Sequence, residues 1–153
     1  MAMRFYCDAN IFIMAVEGRA GQIGLAGDLV TAAMDERCTV ITSQLTLGEV
    51  LVVPLRFNET ETLEAYRSLL GGACPGILVR PVDAEALGEA AALRARHPRL
   101  KLPDAVHLAT ARLNRIDWFV TNDARMAGDS GLRTATPFDQ VLEAALARLP
   151  EAQ

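Results

Sequence analysis

Lysine is almost absent: Lys101 is the only one among 15 basic residues, the rest being arginine. Aromatic residues are few, 5% of the chain, and there are three cysteines, Cys7, Cys38 and Cys74. An odd count at wide spacings, without a CxxC pair or a neighbouring histidine pair, excludes a disulfide-stapled scaffold and a zinc finger; it leaves reduced, mostly buried thiols. No run of about 18 apolar residues occurs, which excludes a helical membrane span. The opening Met-Ala-Met-Arg-Phe-Tyr-Cys-Asp reaches an acid too soon for a signal peptide. The expectation is a soluble, cytoplasmic protein that engages no membrane. No repeat, low-complexity linker or block of like charges is found. Charges sum to −4, with a pI near 5.2, and net charge taken alone argues against a nucleic-acid partner.

What is present is an ordinary globular composition: 51% hydrophobic and 22% charged residues, with a mean hydropathy of +0.19. A length of 153 residues supports one domain, 1–153. Short apolar runs alternate with longer stretches of helical period, the pattern of an α/β fold. Strands are expected over Met3–Cys7, Cys38–Thr42, Ile77–Val82 and Trp118–Thr121, with a marginal fifth over Leu132–Thr136. Helices are expected over Ile11–Val16, Leu25–Glu36, Leu45–Arg56 with a kink or break at Pro54, and Glu59–Leu70 capped by Asn58. Three more are expected over Ala84–Arg96, Pro103–Asn114 and Pro137–Leu149. Glycines 18, 21 and 24 form a turn, and Gly71, Gly72, Pro75 and Gly76 form another.

In a parallel sheet flanked by helices, functional groups gather beyond the carboxyl ends of the strands. Asp8 follows the first strand and Asp123 the fourth. Glu49 lies in the apolar string after the second, and Asp104 opens a helix behind Pro103. Each has an ordinary explanation when taken singly, as a turn former, a solvated helix position or an acid favoured by a helix dipole. Together they fall where a doubly wound sheet brings chain ends to one edge. Clustered carboxylates repel, so the cluster calls for a cation, and oxygen-only donors select Mg²⁺ or Mn²⁺. The commonest work of such an ion is phosphoryl chemistry.

Four segments carry a family resemblance. Phe5-Tyr6-Cys7-Asp8-Ala9-Asn10-Ile11-Phe12, Thr46-Leu47-Gly48-Glu49-Val50-Leu51, Asp104-Ala105-Val106-His107-Leu108-Ala109-Thr110-Ala111 and Phe119-Val120-Thr121-Asn122-Asp123 resemble, in order and spacing, the four motifs of the PIN domain. In particular they resemble the VapC-type toxin ribonucleases of bacterial type II toxin–antitoxin systems. The resemblance implies a three-layer α/β/α sandwich on a central parallel sheet of four to five strands. It further implies an endoribonuclease using one or two Mg²⁺ or Mn²⁺ ions, usually a homodimer, inhibited by a cognate VapB-like antitoxin that reaches into the acidic pocket. Asp8, Glu49, Asp104 and Asp123 fall on the family's acidic, metal-holding positions, and Asn10 and Thr121 on its supporting polar ones. Ala9 departs from the pattern, where the family often carries a hydroxyl.

Other residues admit two readings. His107, three after Asp104, could act as a base or serve structurally, and the resemblance favours the structural role. Ser43 could touch a phosphate or cap a helix, and Asn122 could orient a water or shape a turn. Arg94, Arg96, Arg99 and Lys101 form the densest positive patch and are the expected RNA-backbone contacts. The apolar stretches Ile11–Met14 and Leu51–Leu55 suit a dimer or antitoxin interface, or core. A phosphatase of the haloacid-dehalogenase type needs a second Asp where Asn10 stands, and a receiver domain needs an adjacent acid pair and a late lysine. The remaining alternative is a degenerate PIN-like module that binds RNA or protein without cleaving. Two divalent ions in the acidic cluster would carry charge equal to the formal deficit and reverse the local field, so net charge does not exclude RNA.

Overall fold

Along the first strand, β1 (Arg4–Cys7), Phe5 and Cys7 enter one hydrophobic core and Tyr6 the other, the two-residue period of a strand buried on both faces. A computed structural model of the chain describes residues 2–18, 24–123, 126, 128 and 130–153. The elements that follow β1 are α1 (Ala9–Glu17), α2 (Gly24–Met34), β2 (Thr39–Ser43), α3 (Gln44–Val50), α4 (Val52–Arg56) and α5 (Thr60–Leu70). Beyond them come β3 (Ile77–Arg80), α6 (Ala84–Arg96), α7 (Leu102–Leu113), β4 (Trp118–Val120), β5 (Thr134–Ala135) and α8 (Gln140–Leu146).

The five strands form one sheet in the order β3-β2-β1-β4-β5, every pairing parallel. One face carries Phe5, Cys7, Val40 and Val120 against Ile11 and Phe12 of α1, Leu29 of α2, Tyr66 of α5 and Leu142 of α8. The other carries Tyr6, Ile41 and Phe119 against Ala90 and Leu93 of α6 and Ala105, Val106 and Ala109 of α7. Tyr6 and Phe119 stack across β1 and β4 with centroids 5.3 Å apart. This is the expected three-layer α/β/α sandwich. The chain winds from β1 outward to β3, then crosses back to lay β4 on the other side of β1, which makes the β1/β4 junction the topological switch point.

Several boundaries differ from expectation for local reasons. The break in the expected Leu45–Arg56 helix falls at Leu51, ahead of Pro54. Proline lacks the N–H that would bond the Val50 carbonyl, so the ladder fails one turn upstream, while Pro54 itself sits in the first turn of α4, where no donor is needed. Asn58 does not cap α5. Its φ is +54°, a left-handed turn closing α4, and Glu59 takes the N-cap position without a side-chain bond. β3 stops at Arg80 because Pro81 cannot donate to the ladder. α8 begins three residues after Pro137, where the Asp139 carboxylate accepts from the N–H groups of Val141 and Leu142. Asp83 caps α6 likewise, through the N–H of Ala86 at 3.0 Å. Gly21 of the expected first turn lies outside the described residues.

Of the two apolar stretches, Ile11 and Phe12 are core, whereas the α4 segment leaves Val52, Val53, Leu55 and Phe57 exposed, Phe57 to 64%. Cys7 and Cys38 are buried and Cys74 half-buried, with no disulfide among them. Burial pushes the Cys38 thiol up to about 11, against the opposing charge of Arg37. Among the described residues no helix is long and apolar enough to cross a membrane.

Gly76 lies close against the end of α2: a Cβ there would lie 1.8 Å from the Ala33 carbonyl oxygen, a backbone atom, while its own carbonyl accepts from the Val40 N–H. Gly76→Ala is therefore expected to destabilise the fold, by about 1–3 kcal/mol, read as a lower midpoint in urea unfolding.

Candidate metal centre

Strand register builds the first half of the site. Cys7 pairs with Val120, so the residues that follow, Asp8 and Thr121, emerge side by side at the switch point. The Thr121 hydroxyl donates to Asp8 Oδ2 at 2.8 Å and accepts from the Asp123 N–H at 3.2 Å, folding the segment after β4 back toward Asp8. Asp8 occupies the N-cap position of α1 but makes no cap hydrogen bond. It is 5% exposed, and its Oδ1 is buried with no hydrogen-bond partner.

β2 and the helices complete the site. The Thr42 hydroxyl, beside β1, donates to the Cys7 carbonyl at 2.7 Å and lies 2.7 Å from the Thr46 hydroxyl. Ser43 starts α3 by accepting from the Leu45 N–H, so the capping role holds for this residue. One turn on, α3 presents Glu49. α7 places Asp104 in its first turn, behind Pro103, and His107 one turn later. Asp8, Glu49, Asp104, His107, Thr121 and Asp123, with Asn10, Ala9 and Met126, line one cavity of about 200 Å³.

His107 is buried and held at both ring nitrogens. The Tyr6 hydroxyl lies 2.7 Å from Nδ1, and Glu49 Oε1 lies 2.7 Å from Nε2. Burial keeps the Tyr6 hydroxyl protonated well above its ordinary range, helped by the charge of Asp8. As a donor to Nδ1 it selects the tautomer whose Nε2–H donates to Glu49. Sequence spacing gives no sign of this Tyr6–His107–Glu49 chain, whose members sit on β1, α7 and α3; the one local signal is a polar histidine within an otherwise apolar helix face.

Burial raises the Asp8 carboxyl above its ordinary value. The Thr121 hydroxyl, the His107 ring and the nearby Ile11 N–H oppose the shift, and the charge of Glu49 adds to it. A buried carboxylate with one oxygen orphaned, in a cavity also lined by Glu49, Asp104 and Asp123, fits a hard divalent cation, which would satisfy Oδ1 and offset the repulsion. As the side chains stand, no three acid, histidine or cysteine groups among the described residues surround one point. Glu49 turns Oε1 to His107. Asn10 is exposed on the cavity rim. Arg94, Arg96, Arg99 and Lys101 occupy the end of α6 and the loop leading to α7 and do not line the cavity. Arg94 Nε donates to the Leu100 carbonyl, shaping that loop.

The sequence profile of the PIN domain matches residues 5–128, and the chain belongs to that family. Among solved structures it is similar to a toxin–antitoxin complex from Klebsiella pneumoniae (24% identity, 88% of this chain and 98% of that one, TM-score 0.63). It is also similar to VapC20 of Mycobacterium tuberculosis, a toxin that cleaves the sarcin-ricin loop (20% identity, 84% and 95%, TM-score 0.65). A third is FitAcB from Neisseria gonorrhoeae (15% identity, 88% and 98%, TM-score 0.66). No match is found among the curated proteins.

The Asp8 environment predicts a pH signature for the metal-free chain. A carboxyl raised above its ordinary 3.8 binds its proton more tightly folded than unfolded. Its contribution to stability is therefore full at low pH and is lost as pH rises through the folded value. Asp8→Asn should flatten that slope and raise metal-free stability at neutral pH, by about 1–3 kcal/mol, in urea unfolding with EDTA present.

Proposed function

We propose that the protein is a metal-dependent endoribonuclease that hydrolyses RNA phosphodiester bonds, and that it is the toxin component of a type II toxin–antitoxin system. The observation that carries this reading is the buried, half-orphaned Asp8 carboxylate in a cavity with Glu49, Asp104 and Asp123 at the switch point of a PIN fold. The solved toxin–antitoxin structures that share the fold support it.

In this reading Asp8, Glu49, Asp104 and Asp123 hold one or two Mg²⁺ or Mn²⁺ ions. Such an ion, when bound, supplies a nucleophilic water at neutral pH and neutralises charge on the phosphate. The chain's own residues set the geometry. Thr121 locks the Asp8 carboxylate to the β4 end, and Tyr6 and His107 hold Glu49 by one oxygen while leaving the other for a cation. Burial of Asp8 keeps bulk water from screening its charge, while Glu49 and Asp123 stay open to solvent. Asn10, at the rim, is placed to meet the incoming phosphate. The exposed cations Arg94, Arg96, Arg99 and Lys101 lie along the chain that leads to Asp104 and would contact the RNA backbone beyond the cavity.

The toxin reading carries a small antitoxin that brings positive side chains to the acidic cavity, and a homodimer. The exposed apolar row of α4 supports a protein partner, since such a row is costly to leave wet.

Purified protein with Mg²⁺ or Mn²⁺ is expected to cut structured RNA, and EDTA to abolish cutting. Asp104→Asn should lower the rate at least about a hundredfold and weaken Mn²⁺ binding in calorimetry. RNA left intact by a protein that binds Mn²⁺ would sink the nuclease assignment, and the absence of Mn²⁺ binding would leave a PIN-like binding module.

A further inference from the structure

The largest cavity described, about 760 Å³, lies at the opposite end of the sheet from the acids. Arg4 begins β1, Trp118 begins β4 and Arg133 directly precedes β5, so all three mark the amino ends of strands. Arg115, after α7, and Arg148, after α8, join them around the same space. Four guanidinium groups thus share a concavity with one acid, Asp117, in a chain whose net charge is −4. Asp117 offsets only one of the four charges, and its Oδ2 accepts from the backbone N–H of Arg4. Among the described residues, none of the four arginines forms an ion pair.

Two of the arginines have fixed side-chain contacts. Arg4 Nη2 donates to the Asn114 carbonyl at 3.0 Å, while its Nε is buried without a partner. Arg133 lies 4.1 Å over the Trp118 ring, a cation–π contact. Arg115 adopts φ +49°, the left-handed position after a helix that glycine fills at less cost. Like charges gathered in this way repel unless an anion sits among them.

We propose that this cavity binds a nucleoside polyphosphate. Its volume is in the range of small-ligand sites, roughly 300–1,000 Å³. Arg115, Arg133 and Arg148 can take the phosphates bidentately, Arg4 adding its charge while Nη2 stays on the Asn114 carbonyl, and Met3, Val141 and Ala144 provide an apolar wall for base and sugar. The formal charge of the lining, four arginines against one aspartate, matches the roughly three negative charges of a nucleoside diphosphate. A polynucleotide would instead need a basic track along the surface, and inorganic phosphate would leave the apolar wall unused.

The test is calorimetric titration of the full chain with ADP, in EDTA so that the acidic cavity plays no part, alongside the fluorescence of Trp118, the single tryptophan. ADP is expected to bind saturably at one site and to change that fluorescence. The double variant Arg115→Ala/Arg148→Ala, at exposed positions, should weaken binding by about tenfold or more with its circular dichroism unchanged. Arg56→Ala/Arg67→Ala, elsewhere on the surface, should bind as the wild type does. The proposal is overturned by no saturable binding, by equal affinity in the cavity variant, or by inorganic phosphate binding as tightly as ADP. Tighter binding of a short RNA, lost in the same variant, also overturns it in favour of a nucleic-acid surface.

Discussion

The structure turns on a carboxylate buried where it has too few partners. Asp8 is at the end of the central strand, nearly without solvent, with one oxygen bonded to Thr121 and the other bonded to nothing. An ionised group in that position costs several kcal/mol unless compensated, and the Thr121 hydroxyl, the His107 ring and the Ile11 N–H offset that cost only in part, so the carboxyl stays above its ordinary value. Ala9 supplies no hydroxyl, the α1 N-cap bond is not made, and Glu49 adds like charge. A chain selected only for stability would place a hydrophobic residue here. Keeping the acid makes sense when the missing compensation comes from outside, which is the basis for reading the cavity as a cation site.

The same sheet segregates charge by its two ends. Carboxylates collect beyond the carboxyl ends of β1 and β4, and arginines gather around the amino ends of β1, β4 and β5. Because the strands are parallel, every crossover returns the chain to the same end before the next strand starts, so residues that follow strands share one edge and residues that precede them share the other. Net charge averages over this division and conceals it. A value of −4 describes neither an edge that repels phosphate until a cation arrives nor an edge that attracts anions without one.

Much of this was legible in the residues because it is local. The short apolar run Phe5-Tyr6-Cys7 reads as a strand, Asp8 and Asp123 stand after strands, Asp104 opens a helix, and Glu49 lies in the apolar helix after the second strand, where topology gathers them. The PIN resemblance added the three-layer arrangement. What escaped depends on pairings distant in sequence. Tyr6, His107 and Glu49 bond across three elements, and Arg4, Arg115, Arg133 and Arg148 are scattered along the chain until the sheet assembles them. The dense cluster Arg94–Lys101 is conspicuous in sequence yet lines neither cavity. Pro54 and Asn58 show the same limit at short range. Proline acts on the hydrogen bond one turn earlier than its own position, and Asn58, expected as a cap, is instead set by the left-handed turn it must make.

The four acids are held with unequal stiffness. Asp8 and Thr121 are spaced by parallel strand register, which cannot slip by one residue without turning Phe5, Tyr6 and Cys7 to the wrong cores. Glu49 and Asp104 ride on helices, and Glu49 is already bonded to His107, a partner with one donor to give. A cation arriving at Asp8 would therefore meet one ligand whose place is fixed and others that adjust to it. The His107 bond restrains that adjustment, since Glu49 can turn Oε2 toward the cavity while Oε1 stays on the ring. The open arrangement of the donors and the one fixed carboxylate are thus two aspects of the same construction, in which the β1/β4 register sets the origin of the site and the helices supply its adjustable arms.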